Sequence, residues 1–351
     1  MKREHILIGL LIAICWAGNM IASKVAVQYL PPFLTAALRF SIVAICVLPF
    51  SYKMNTPIKK AFCLAQVWGI LYFSLFYIGL LLGIDASAAC IILQFAVPFT
   101  AIVEIFGLRK RPSYRVILGI FASMIGLYVM KDSPNITNNF AGFIFSLLAA
   151  VAWACSSFLI KANGEKNTLT LIAWMSLLAV PGFLFLASIS EHIALIPNEF
   201  EYAAEHFKFN YQFISSMLYM VLVATITVQT LWVYMLNHNE ASQVMTFMLL
   251  VPVFGIILSS ILLNEVITRE VVLGAAIIIT GMTLILVNLK QIMNIKTKKL
   301  APVLIIVSFF IANGDIPREA AIGIMTIVTG LALILVNPKR IINERKNKQK
   351  K

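Results

Sequence analysis

The chain has 351 residues, 60% of them hydrophobic and only 12% charged, and its mean hydropathy is +0.91. Soluble domains carry about 25% charged residues, so this composition excludes a water-soluble fold and requires lipid around it. A net charge of +13 raises nucleic acid as a partner, yet the Lys and Arg residues fall in short runs between apolar segments, the pattern of a polytopic membrane protein.

Ten apolar runs approach the roughly 20 residues that cross a hydrocarbon core. Residues 6–27 come first; their length, the lack of a small-residue cleavage site and their recurrence later in the chain predict a retained span instead of a cleaved signal. Residues 34–50, 62–83, 88–107 and 115–130 complete a first group, and residues 140–160, 169–188, 213–236, 242–262 and 271–288 form a second. None alternates polar with apolar positions as barrel strands do, so all are predicted to be helices. With the amino terminus in the cytoplasm, one side receives Lys2, Arg3, Lys53, Lys59, Lys60, Arg109, Lys110, Arg111, Lys166, Lys290, Lys296, Lys298 and Lys299. The opposite connections are poor in basic residues, and the longest carries Glu191, Glu199, Glu201 and Glu205. This is the positive-inside bias, and it assigns the basicity to topology and to contact with membrane lipid, with no nucleic-acid partner.

The two groups echo one another. A Trp followed eight residues later by a Lys occurs at Trp16 and Lys24 and again at Trp153 and Lys161, while Ala86-Ser87, Pro98, Gly119 and Gly126 recur as Ala241-Ser242, Pro252, Gly274 and Gly281. The predicted organisation is a first repeat over residues 1–135 and a second over 136–295. Five spans per repeat force the second to insert upside down. The predicted fold class is therefore an all-α integral membrane protein with ten transmembrane helices in two inverted five-helix repeats, Trp16 and Trp153 being pseudo-two-fold mates, and a small-molecule substrate held between the halves.

Residues 296–351 add a partial duplicate of residues 251–294 with a basic tail: Val251-Pro252-Val253 returns as Ala301-Pro302-Val303, and Leu284-Ile285-Leu286-Val287-Asn288 as Leu333-Ile334-Leu335-Val336-Asn337. Residues 319–337 are long enough to cross, but 300–313 would rise only about 21 Å. The expectation is a strained short crossing or a piece that does not insert as its parent does.

Polar and aromatic residues that lipid contact would not explain are the candidates for a central chamber: Trp16 and Asn19, Gln94, Trp153 and Ser157, Gln229 and Trp232, and Gln243 and Thr246. Amides in a membrane need partners, which neighbouring helices or a bound zwitterion can supply. Arg39 sits several residues into its span, open to a structural role or to contact with an anionic substrate group, whereas Lys24 near its helix end can snorkel or touch substrate. Pro98 and Pro252 each delete a helix hydrogen bond and are candidate hinges, or static bends. Gly119 with Gly126, Gly274 with Gly281 and Gly323 with Gly330 lie two turns apart, a small-residue seam for packing or for a homodimer. The five cysteines fall inside apolar spans without metal-ligand spacing, so neither disulfides, a metal nor a cofactor is predicted.

Trp16-Ala17-Gly18-Asn19 with Lys24, Leu30-Pro31-Pro32, Leu38-Arg39-Phe40, Val223-Ala224-Thr225, Leu250-Val251-Pro252-Val253 and Leu262-Leu263-Asn264-Glu265 followed by Gly274 and Gly281 resemble the EamA transporters of the drug/metabolite superfamily over about residues 6–290. The resemblance is nearest to exporters of amino acids and related metabolites, including the O-acetylserine/cysteine type. It implies ten helices, both termini cytoplasmic, a bacterial cytoplasmic (inner) membrane, a monomer or homodimer, and export by alternating access instead of an enzymatic reaction. Drugs, quaternary amines and nucleosides suit amides and rings equally well. Spans almost free of acids favour facilitated efflux, with Glu104 as the alternative proton carrier. A membrane enzyme is disfavoured because His5, His192, His206 and His238 are scattered and no paired acids occur; an inactive scaffold is the other alternative.

Overall fold

The computed structural model describes residues 3–50, 54–107, 112–163, 167–191, 211–239, 244 and 246–286, all in helices and the turns between them. The first group forms α1 (Arg3–Ala26), α2 (Pro32–Val47), α3 (Ile58–Leu81), α4 (Ala86–Leu93 and Ala96–Gly107) and α5 (Tyr114–Met130). The second forms α6 (Phe140–Asn163), α7 (Thr168–Ser190), α8 (Tyr211–Leu218, Tyr219–Thr227 and Val228–His238), α9 (Thr246–Leu250 and Val251–Leu263) and α10 (Arg269–Leu286). Among the described residues, eight helices are long and apolar enough to cross a membrane; Tyr114–Met130 and Phe247–Leu263 are shorter. At 17 residues each, these two rise about 25 Å, the short end of what spans a bilayer. The duplicated tail, residues 296–351, and with it Gly323 and Gly330, lies outside the described residues.

The outer surface fits lipid. Leu7, Ile45, Phe121, Tyr128, Phe185 and Ile261 are all exposed, large apolar side chains that water would penalise and hydrocarbon does not. Inside, α2 packs on α7 through Phe40 and Phe183, whose rings stack 5.6 Å apart with only 4° between planes. Such a pair contributes about 0.5–1.5 kcal/mol beyond its buried area.

Regularity breaks where the sequence removes a donor. Pro98 cannot donate to the carbonyl of Gln94 and its ring crowds that oxygen, so α4 turns at Gln94 and Phe95, and Val97 N–H bonds Gln94 O at 3.0 Å instead. Pro252 occupies the first turn of the α-helical part of α9, behind a 3-10 stretch at Thr246–Leu250. α3 and α8 each carry a π-helical middle, Ala65–Tyr72 and Tyr219–Thr227.

α5 and α10 run antiparallel in the tightest pairing. A Cβ on Gly119 would lie 2.5 Å from the Gly281 carbonyl oxygen, and one on Gly126 would lie 2.7 Å from that of Gly274. The seam predicted for packing or dimerisation is thus filled within one chain. α1 lies against α8 and α9, as α6 lies against α3 and α4.

Candidate functional site

Arg39, seven residues into α2, is 3% exposed. Its Nε and Nη2 donate to Thr225 Oγ1 at 3.2 and 2.9 Å, and Nη1 donates to Tyr77 Oη at 3.1 Å. The guanidinium carbon also stands 4.9 Å from the centroid of the Phe73 ring, a cation–π distance. The π-helical turn of α8 explains the Thr225 contact. There the Thr225 hydroxyl donates back to Met220 O at 2.7 Å, which leaves its lone pairs facing Arg39. Met220 ties in two more helices, since Tyr77 Oη and Ser23 Oγ both donate to its sulfur, at 3.6 and 3.4 Å. Among the described residues no carboxylate pairs with Arg39. Of its five N–H groups, one on each terminal nitrogen is left without a partner among the described residues.

One turn along the same face of α1 from Ser23 lies Asn19, 5% exposed, whose Oδ1 has no hydrogen-bond partner. Gln94, at the break in α4, is 6% exposed and its Oε1 is likewise unpartnered. Trp16 meets Trp232 of α8 at 4.9 Å between ring centroids with the planes tilted by 54°, and Trp153 meets Tyr72 of α3 edge-to-face at 4.8 Å. Tyr72 in turn meets Phe73, the ring beneath Arg39. The structure therefore brings Arg39, Trp153 and, through Ser23, the Asn19 face of α1 into one neighbourhood. No ring contact joins Trp16 to Trp153 among the described residues; each packs against the third helix of the other group. Ser157 and Gln229 are half-buried. Gln243 lies outside the described residues, as do the side chains of Thr246 and Glu104.

Charges gather at the face where α1 ends. Lys24 Nζ donates to Ile84 O at 2.9 Å and to Asp85 Oδ1 at 3.1 Å, and approaches Glu265 Oε1 at 3.4 Å. Lys24 is thus ion-paired instead of snorkelling. Glu265 accepts from Ala86 N, Ser87 N and Ser87 Oγ at 2.7, 3.0 and 2.8 Å. Glu191 accepts from Phe33 N and Leu34 N at 2.7 and 3.1 Å. Burial, and secondarily the charge of Glu265, push the Asp85 carboxyl above its ordinary range against the pull of Lys24; burial does the same to Glu191 despite its two backbone donors. Helix rise sets Asn19 roughly 8 Å and Gln94 roughly 13 Å along their helices from this layer, against a half-thickness of about 15 Å for a hydrocarbon core.

Tyr77, Tyr72, Phe73, Ser23 and Met220 were not candidates from sequence. In an aromatic-rich span such residues read as packing, and only the fold shows that they surround a cation.

A model of the EamA-like transporter family matches residues 4–131 and again residues 140–287. Two proteins named "Probable amino-acid metabolite efflux pump", from Salmonella typhimurium and Escherichia coli, are 26% and 27% identical over 288 residues, covering 80% of this chain and 94% of each relative. An uncharacterized transporter of Archaeoglobus fulgidus is 26% identical over 280 residues, covering 77% of this chain and 94% of its own. A solved crystal structure covers 81% of this chain and 98% of its own with a TM-score of 0.53; at 14% identity this is a likeness of fold alone. With both groups of helices matched, the chain belongs to the EamA-like transporter family.

Proposed function

We propose that this protein exports a small zwitterionic metabolite, an amino acid or a derivative, across the bacterial cytoplasmic membrane by alternating access. The carrying observation is Arg39: a buried guanidinium, held by hydroxyls and a ring, with two free N–H groups and no described carboxylate beside it. A cation at membrane depth costs about 2.5–3.5 kcal/mol on insertion scales, and a substrate carboxylate offsets that cost. The orphan oxygens of Asn19 and Gln94 are acceptors awaiting a donor, which an ammonium group supplies. Trp16, Trp153, Ser157, Gln229, Trp232, Gln243 and Thr246 complete the proposed lining.

In this reading the ten helices form two inverted repeats, the amino terminus is cytoplasmic, and the Lys24 layer faces outward. The twofold family match, the placing of α1 on α8 and α9 as α6 is placed on α3 and α4, and the exchanged ring contacts of Trp16 and Trp153 support it. The breaks at Pro98 and Pro252 serve as hinges, and the occupied glycine seam favours a monomer. The names of the two bacterial relatives agree with the cargo. Quaternary amines and uncharged nucleosides bring no anion to Arg39.

Proteoliposomes preloaded with labelled cysteine or O-acetylserine, or with the corresponding decarboxylated amine, test the reading. The amino acids leave and the amine stays. Equal efflux of both, or of neither, overturns it.

A further inference from the structure

Two contacts on the Lys24 face repeat one geometry. Glu191, at the end of α7, spreads its two carboxylate oxygens over consecutive backbone N–H groups opening α2, Phe33 at 2.7 Å and Leu34 at 3.1 Å. Glu265, beyond the end of α9, spreads its own over consecutive N–H groups opening α4, Ala86 at 2.7 Å and Ser87 at 3.0 Å. Both acids come from the second group of helices and both helix starts from the first. The first N–H groups of a helix lack intrahelical acceptors, and a nearby residue commonly caps them. Here it does not. The N-cap of α2 is Pro31, which has no side-chain acceptor, and the N-cap of α4 is Asp85, a good capping residue that makes no cap bond and turns to Lys24 instead. Capping of both helices has been handed to the opposite half. Asn264, in the left-handed region at φ 53°, reverses the chain after α9 and delivers Glu265 to its target. Tyr29 adds a further tie across the same face by donating to Gln212.

We propose that Glu191 and Glu265 form a two-point clasp that shuts the outer mouth, and that both must leave the starts of α2 and α4 before the protein opens outward. The clasp rests on the carrier reading for alternating access and for which face is outer, and not on the identity of the cargo. Water replaces both sets of partners on opening, so the clasp is reversible; Lys24, shared between Asp85 and Glu265, returns the second carboxylate to its seat. A carboxylate suits this task better than an amide. It satisfies two parallel N–H groups at once and is favoured by the positive end of the helix dipole.

The molecule contains its own reporter. Cys90, one turn inside Ser87 on α4, is fully buried, with its sulfur against Gly255 of α9. The full-length chain with Cys15, Cys46, Cys63 and Cys155 changed to Ala keeps Cys90 as the one thiol. A membrane-impermeant maleimide is then added outside intact cells. Glu191→Gln and Glu265→Gln are each expected to raise the Cys90 labelling rate about tenfold, the scale of losing charge-assisted bonds. Ser87→Ala, which removes only the hydroxyl contact, gives a milder variant with a smaller rise, about threefold. Glu270→Gln, outside the clasp, leaves labelling unchanged. Labelling at the parent rate in folded Glu191→Gln and Glu265→Gln proteins, or in Ser87→Ala if those two fail to fold, overturns the clasp. A failure of amino-acid efflux with labelling that still responds sinks the proposed cargo and leaves the clasp standing.

Discussion

Replacing Arg39 with Met separates a substrate-binding cation from a structural one. The change deletes three hydrogen bonds within the protein and the contact with the Phe73 ring. Neither partner is stranded, because Thr225 Oγ1 still donates to Met220 O and Tyr77 Oη still donates to the Met220 sulfur. Removing a buried charge returns about 2.5–3.5 kcal/mol on insertion scales, against about 4.5 kcal/mol for three bonds from a charged donor at about 1.5 kcal/mol each, a net loss of about 1–2 kcal/mol. The thermal midpoint of the purified protein in detergent is thus expected to stay within a few degrees of the parent. Binding fares differently. Two charge-assisted bonds to a substrate carboxylate, at about 1.5 kcal/mol or more each, amount to at least a 100-fold rise in Kd for a labelled amino acid, read by equilibrium binding. Arg39→Lys keeps the charge and loses the fork, and falls between the two. Unfolding of Arg39→Met assigns the residue to structure, and an unchanged Kd removes it from the site; either result refutes the reasoning.

Asn19→Leu removes an unpartnered buried oxygen, so thermal stability rises by about 1 kcal/mol while efflux falls; loss of stability shows that the oxygen is satisfied and not reserved for substrate. Gly126→Ala sets a methyl 2.7 Å from the Gly274 carbonyl and destabilises the α5–α10 pair by about 1–3 kcal/mol, measured by thermal unfolding; an unaffected midpoint contradicts the seam. The Asp85 carboxyl, facing Lys24 and Glu265 with the neutral Asn135 on its backbone, is raised by burial and by Glu265 in the closed state. A proton therefore favours closure: the effect is complete below the open-state pKa and is lost as pH rises through the higher closed-state value. Labelling of Cys90 from outside accordingly increases as pH climbs just above the ordinary carboxylate range; Asp85→Asn makes the profile shallower, and the slope that is left belongs to Glu191, whose carboxyl burial also raises.

Local chemistry was legible in the residues, and long-range pairing was not. The shared spacing of Trp16 with Lys24 and of Trp153 with Lys161 is readable without any coordinates, because a repeat needs only matching residues. Pro98 and Pro252 located the irregular points of α4 and α9, since a missing N–H acts on its own helix. Arg39 stood out because a cation inside an apolar run demands an explanation. Its partners did not, for Tyr77 and Thr225 reach it from helices 38 and 186 residues away. The π-helical turn that aims Thr225 has no signature that apolar periodicity reveals. Lys24, Asp85 and Glu265 each read as an ordinary helix-end charge, and Glu191 as one acid of an acidic loop. Only the fold shows that two of them cap helices of the opposite half.

The most direct test of the central claim, one carboxylate site reached from each membrane face in turn, is counterflow in proteoliposomes. Vesicles loaded with unlabelled cysteine or O-acetylserine should take up the labelled compound against its gradient, and vesicles carrying Arg39→Met should not. Labelled uptake that ignores the internal load, or persists undiminished in the Arg39→Met protein, contradicts the account.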